Sequence, residues 1–338
     1  MIRRSPSLSL NSRIQRSWLR WGKTVLRAAV KPPQSLRQPL RKTVVSPVAL
    51  HVAGARRYYV FDPAKSSRTE SPLLVMLHGC QQNVQEFSAS TRMNRLAAQE
   101  GFRVLYPEQD KLAHGQGCWS WYAKSSGQSA REAISILAAI DHACARYRID
   151  PQKIVIAGFS AGASMAALVA QYDPARFAAV VLHSGVDPAL AHSTASALAA
   201  MRGTPRLVTK TDTITLAPLP PLLVLQGSAD RIVVKANGMR AAAAWAARQN
   251  AEAGTPRVIR RGNRYPLTTM DWTAQGRLAA TLSEISGLGH AWSGGAAAQE
   301  FSDPKGPDAS RMVWAFAQRQ FALVSDARVV FSELRSAA

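Results

Sequence analysis

The chain is poor in cysteine, in long apolar runs and, over its first sixty residues, in acid. Its three cysteines, Cys80, Cys118 and Cys144, form no C-x-x-C pair, so no zinc spacing is present and no metal or cofactor is expected. No stretch approaches the about 18–20 apolar residues of a transmembrane helix. Arg27 interrupts the apolar residues 24–30, and no run reaches the roughly 7–15 residues of a secretory h-region. The first acid is Asp62, whereas thirteen Lys and Arg precede it, so the leading segment carries much of the net charge of +21 and the body is only moderately basic. Such a charge suits nucleic acid or anionic lipid. No nucleic-acid reading motif accompanies it, however, and nucleic-acid binding is not expected.

Within the basic segment, Leu10, Ile14, Trp18, Trp21, Val25 and Ala29 recur at three- or four-residue intervals, opposite Arg13, Arg16, Arg20, Lys23 and Arg27. That is the pattern of a basic amphipathic helix. It has two readings: adsorption to a polyester granule or an anionic membrane, or a plain tail, partly disordered or packed on the domain. The same composition, rich in Arg and Ser and free of acid, also resembles a transit peptide. Prolines at 32, 33, 39 and 47 mark a linker. The expected organisation is an extension over 1–48, one catalytic domain over 49–325 and a tail over 326–338. With 338 residues, 47% of them hydrophobic, one large α/β domain has enough core material.

Short apolar runs at 58–61, 73–77, 102–106, 154–157, 178–182, 222–226 and 282–285 alternate with helical patterns at 91–99, 130–147, 162–171, 235–249 and 308–322. The fold class is therefore α/β: a mostly parallel central sheet with helices on both faces, whose site forms at the carboxyl ends of the strands. Gly158-Phe159-Ser160-Ala161-Gly162 lies between a strand and a helix and reads as a G-x-S-x-G nucleophile elbow, which makes Ser160 the nucleophile. Asp230 and His290 each follow a strand, and the order Ser, Asp, His is that of an α/β-hydrolase. In this triad His290 takes the serine proton and Asp230 fixes the imidazole tautomer. The oxyanion donors are the amides of Ala161, after the nucleophile, and of Cys80, after the turn at His78-Gly79. His78 and His183 are expected to support loops. Cys144, within a helical pattern, reads as a buried thiol. Cys80 and Cys118 lie in loops near the site and are the pair to test for a disulfide, which would imply an oxidising compartment.

The resemblance that these pieces carry is to the poly(3-hydroxybutyrate) depolymerase-like esterases of the α/β-hydrolase superfamily. The matching segments are Met76-Leu77-His78-Gly79-Cys80 with Gln82, Thr91-Arg92-Met93-Asn94, Tyr106-Pro107-Glu108-Gln109, Cys118-Trp119-Ser120-Trp121, the Ser160 elbow, His183-Ser184-Gly185, Asp230 with Val233 and Asn237, and Gly289-His290-Ala291-Trp292-Ser293-Gly294-Gly295. The resemblance implies ester hydrolysis through an acyl-enzyme, with Ser160, Asp230 and His290 as the triad, Cys80 and Ala161 as oxyanion donors, and a Cys80 to Cys118 disulfide. It implies polyhydroxyalkanoate polymer, oligomers or related small esters as substrates, with feruloyl or acetyl-xylan esters as the alternative and a non-catalytic surface-binding protein as a third reading.

Two positions depart from the family pattern: Ala163 stands where a second glycine is usual, and Gln226 precedes Gly227 where histidine is common. No separate polymer-binding domain is expected after 308–322, which points to amorphous polymer, oligomers or small esters. Trp119 and Trp292 are the expected aromatic walls for substrate, ahead of Trp121 and Tyr122. The resemblance and the disulfide favour an extracellular location, and the missing h-region favours a cytoplasmic or granule-associated one.

Overall fold

A computed structural model describes residues 48–54, 56–63, 70–112, 114–205 and 217–336, with side chains as far as 323. The amphipathic pattern of residues 10–29 and the linker up to residue 47 lie outside these residues. The antiparallel pair β1 (Ala49–Ala53) and β2 (Arg56–Phe61) precedes β3 (Ser71–Leu77). Asn83 then opens α1 (Val84–Thr91): its side chain accepts the Glu86 N–H while the Glu86 carboxylate accepts the Asn83 N–H, a reciprocal cap. Arg92, in the left-handed region at φ 54°, separates α1 from α2 (Met93–Glu100).

The alternation continues through β4 (Arg103–Pro107), α3 (Gln128–Arg146), β5 (Ile149–Phe159), α4 (Ala161–Tyr172), β6 (Ala179–His183), α5 (Thr194–Met201), β7 (Leu222–Gly227) and α6 (Ala236–Ala247). Short strands β8 (Glu252–Ala253) and β9 (Arg257–Ile259) lead to the hairpin of β10 (Leu267–Ala274) and β11 (Arg277–Ile285). The small pair β12 (Trp292–Ser293) and β13 (Ser302–Asp303) precedes α7 (Ala309–Ser336).

The described strands form one large sheet in the order β1-β2-β4-β3-β5-β6-β7-β11-β10-β8, with β9 also on β10. From β4 to β11 every neighbouring pair is parallel, and both margins are antiparallel. The carboxyl ends of β3, β5, β6, β7 and β11 therefore share one edge, where a parallel sheet places its site. Alternate residues face opposite sides of the sheet. Leu74, Met76, Val155, Ala157, Val181 and Leu225 join Phe87, Met93, Val313 and Phe316 from α1, α2 and α7 in one buried cluster. On the other side α3 packs on β1, β2 and β4, and α4 on β3, β5 and β6.

All seven expected strands and all five expected helices are present, and the expected sheet class holds. The elements missing from the sequence reading have physical reasons for being hard to see. β10 mixes Thr269, Asp271 and Thr273 with buried Leu267 and Trp272, because it is an outer antiparallel strand and carries no continuous apolar run. β1 exposes Leu50 and Val52 and so lacks the continuous apolar run of a buried strand. The tail expected over 326–338 is mostly helix, since α7 continues to Ser336. Cys144 is half-buried, not buried, and is a free thiol whose pKa burial pushes up. His51, for which the sequence suggests no partner, stands in β1 with Nε2 2.6 Å from the Tyr147 hydroxyl.

The start of α7 is fixed by Trp314, whose ring stacks on Phe102 at 3.9 Å and whose Nε1–H donates to Glu100. Replacing Trp314 by alanine is expected to lower the unfolding free energy by about 3–5 kcal/mol, the range for a large buried aromatic. Urea denaturation monitored by circular dichroism measures it.

Candidate active site

The glycines of the elbow have a steric cause. A Cβ on Gly162 would sit 2.3 Å from the Leu77 carbonyl oxygen and 2.4 Å from that of His78, and a Cβ on Gly158 would sit 2.2 Å from the Gly162 oxygen. These neighbours are backbone and cannot swing away. The first turn of α4 is thereby seated directly against the end of β3. Ser160 pays for the tight corner with φ 56° and ψ −121°, a strained conformation of the kind that costs about 1–3 kcal/mol. Its N–H donates to the His183 carbonyl at 2.9 Å, and its own carbonyl accepts from Ala163 and Ser164, which starts the helix.

The three residues predicted as a triad come together. His290 Nδ1 lies 2.8 Å from Asp230 Oδ2, and Nε2 lies 2.9 Å from Ser160 Oγ. A carboxylate only accepts, so Nδ1 carries the proton and Nε2 is left to accept from the serine hydroxyl. Asp230 Oδ1 accepts the N–H groups of Ile232 and Val233, each at 2.9 Å. Burial raises the Asp230 pKa, but His290 and these two amides outweigh it and hold the carboxyl below its ordinary value. Acid and base are aligned by backbone stitching between their turns: Ser228 N–H donates to Ile285, Ala229 N–H to Leu288, and Gly287 N–H to the Ser228 hydroxyl.

The turn that presents Cys80 lies against the same corner, since a Cβ on Gly79 would come within 2.9 Å of the Phe159 ring. Gly79 N–H donates to Gln82 Oε1, and Gln81 N–H to the Gln116 carbonyl. Cys80 is bonded to Cys118, with Cα atoms 4.3 Å apart. The Cys80 and Ala161 amides take no part in the hydrogen bonds found among the described residues, and Cys80 is partly exposed. His78 supports this turn as expected: Nδ1–H donates to the Gly79 carbonyl and Nε2 accepts the Gln109 N–H.

Trp119 and Trp292 require correction. Trp119 is fully buried and donates its indole N–H to the His78 carbonyl at 2.9 Å, with the Arg56 guanidinium over its ring. Trp292 is equally buried, stacks on His183 and donates to Ser310 Oγ. Each holds a loop of the site from behind instead of lining a substrate wall, because the indole N–H finds its acceptor in the core. Trp121 is buried too, which leaves Tyr122 as the partly exposed aromatic of that segment.

The supporting roles of several residues escape sequence reading. Gln109 accepts from Arg56 and donates to the Cys118 carbonyl and to buried Glu132, which in turn accepts the Ser120 N–H. This buried polar chain fixes the segment bearing Cys118. Arg92 donates to the Gly294 carbonyl beyond His290, and Gln226 Nε2 donates to Val233 O, under Asp230. Arg92 and Gln109 stand in segments that match the family and Gln226 departs from it, but no local signal in the sequence assigns them these hydrogen-bond partners. Phe159, the variable residue of the elbow, lies against the His290 ring at 4.9 Å. Among the described residues no three His, Cys, Asp or Glu side chains converge as a metal site would require.

His78 and His183 are completely buried. Burial lowers their pKa values to about 4 and about 3 from the ordinary 6.5, with positive neighbours adding to the effect. Both are neutral in the fold, and the unfolded chain binds their protons first. Their contribution is complete above about pH 6.5 and is lost as the pH falls toward the folded values. The unfolding free energy is expected to drop by about 3 kcal/mol per histidine between pH 6.5 and 4, measured by urea titration across that window.

The segments of this site recur in known proteins. The profile of the family described as Esterase PHB depolymerase matches residues 56–262. A poly(3-hydroxyalkanoate) depolymerase C of Paucimonas lemoignei is 34% identical over 134 residues, 39% of this chain and 32% of that protein. Feruloyl esterase B of Neurospora crassa is 29% identical over 143 residues, 42% of this chain and 48% of that protein. The chain thus spans about a third to a half of these curated relatives. An acetyl xylan esterase structure from Aspergillus awamori superposes with a TM-score of 0.59 at 20% identity, covering 72% of this chain and 94% of that one, and shares the α/β-hydrolase fold. Because the profile match takes in the Cys80 turn, the Ser160 elbow and Asp230 in one continuous span, this chain belongs to the Esterase PHB depolymerase family.

Proposed function

We propose that the protein is a serine carboxylesterase acting through an acyl-enzyme. The observation that carries this reading is the hydrogen-bonded series Asp230, His290, Ser160 at the elbow, beside two uncommitted amides. Ser160 Oγ attacks the ester carbonyl carbon as His290 Nε2 takes its proton, and the Cys80 and Ala161 amides receive the oxyanion. Collapse breaks the bond to the alcohol, which leaves with the proton from His290. Water then attacks the acyl-serine, gives its proton to His290, and the acid departs as Ser160 regains its hydrogen.

For the substrate, polyhydroxyalkanoate oligomers or amorphous polymer are the first reading, supported by the family and by the depolymerase relative. Feruloyl or acetyl-xylan esters are the second, supported by the relatives so named. A disulfide beside the oxyanion turn fits an exported protein, and no described helix is long and apolar enough to cross a membrane.

Ser160→Ala is expected to lower p-nitrophenyl ester turnover by about 10⁴- to 10⁶-fold without loss of fold; retained turnover in pure protein would reject the mechanism. Release of 3-hydroxybutyrate from oligomers is expected to exceed release of ferulate or acetate from plant polysaccharide. The reverse order on the same panel would assign the second substrate class.

A further inference from the structure

The hydrogen bond from His290 Nδ1 to Asp230 lies in the plane of the imidazole, as such bonds must, and leaves both faces of the ring to other neighbours. One of these is Phe159, with centroids 4.9 Å apart and planes 35° from parallel. Phe159 is 2% exposed and held from several sides. His183 meets it edge-on at 5.6 Å, Trp292 and Phe301 stand at 6.4 and 6.5 Å, and the Gly79 turn leaves no room for even a methyl group. The ring cannot move off the imidazole without disturbing the turn that carries Cys80.

The polar and titratable groups around His290 are Asp230 after β7, Ser160 at the elbow and His183 at the end of β6. Of these, His183 is spent on structure: Nε2 accepts the Ser293 N–H and Nδ1 lies 3.1 Å from Ser184 Oγ. Arg92, which reaches the loop following His290, is engaged by the Gly294 carbonyl. Among the described residues Asp230 is therefore the formal charge placed to answer a positive imidazole, and it acts from one edge. The face of an aromatic ring within about 6 Å attracts a cation through its quadrupole, and does so more strongly where water is excluded.

We propose that Phe159 is a positioning residue of electrostatic kind, whose ring face stabilises the positive charge that His290 acquires on taking a proton from Ser160 or from water. The inference rests on the acyl-enzyme reading given above. It assigns work to the second residue of the elbow, which the motif leaves variable.

The test replaces Phe159 in the full chain with 4-fluoro-, 3,5-difluoro- and 3,4,5-trifluorophenylalanine, which weaken the quadrupole with little change in size, and with leucine, which removes it. Turnover of a p-nitrophenyl ester should fall stepwise with fluorine number, reaching about 3- to 30-fold in kcat, at constant KM and constant thermal midpoint. Leucine should match or exceed the trifluoro variant. A flat kcat across the fluorinated series, or a fall that only tracks the thermal midpoint, overturns the proposal and reduces Phe159 to packing. Ser160→Ala assayed in parallel separates the two claims: if it abolishes turnover while the series is flat, only the role of Phe159 fails; if it retains turnover, the acyl-enzyme reading fails and this proposal with it.

Discussion

The closeness of two pieces of backbone governs this site. The first turn of α4 lies against the carbonyls of Leu77 and His78 at a distance that admits no side chain at Gly162. That contact ties the strained serine to the turn bearing Cys80, so Ser160 and the Cys80 and Ala161 amides are set by one packing event. The stitching of the 227–230 turn to the 285–289 turn does the same for Asp230 and His290. Side-chain chemistry is then placed on a frame whose dimensions are decided by main-chain contacts.

Charge is used sparingly within that frame. His78 and His183 are kept neutral by burial and act as rigid hydrogen-bonding pieces, one under the Cys80 turn and one between the elbow and Ser293. A second positive charge beside His290 would oppose protonation of the base. Asp230 stays ionised in spite of burial because His290 and the Ile232 and Val233 amides converge on it. Indole rings complete the support, with Trp119 behind the oxyanion turn and Trp292 behind the base loop.

The parallel sheet and the meeting of Ser160, Asp230 and His290 were legible in the sequence, because continuous apolar strands and the order of the turns that follow them are local signals. The disulfide partners were legible as candidates. What stayed hidden depends on burial at a distance. Trp119 and Trp292 look like pocket walls in a one-dimensional reading, and only the position of the acceptors His78 O and Ser310 Oγ shows that they face inward. The chain from Arg56 through Gln109 to Glu132 joins three separate segments, and no spacing rule connects them. β10 was hidden for the opposite reason, since an outer antiparallel strand carries polar residues such as Asp271 and Thr273 among its apolar ones.

The hairpin of β10 and β11 delivers His290 last, after a long excursion past α6, whereas Ser160 and Asp230 belong to earlier strands. On a ribosome, where folding proceeds from the amino terminus, the emerging chain can complete its nucleophile corner while the proton acceptor is still unmade. Under the proposed mechanism, the pairing of β11 with β7 thus sets when the Asp230, His290, Ser160 series is complete.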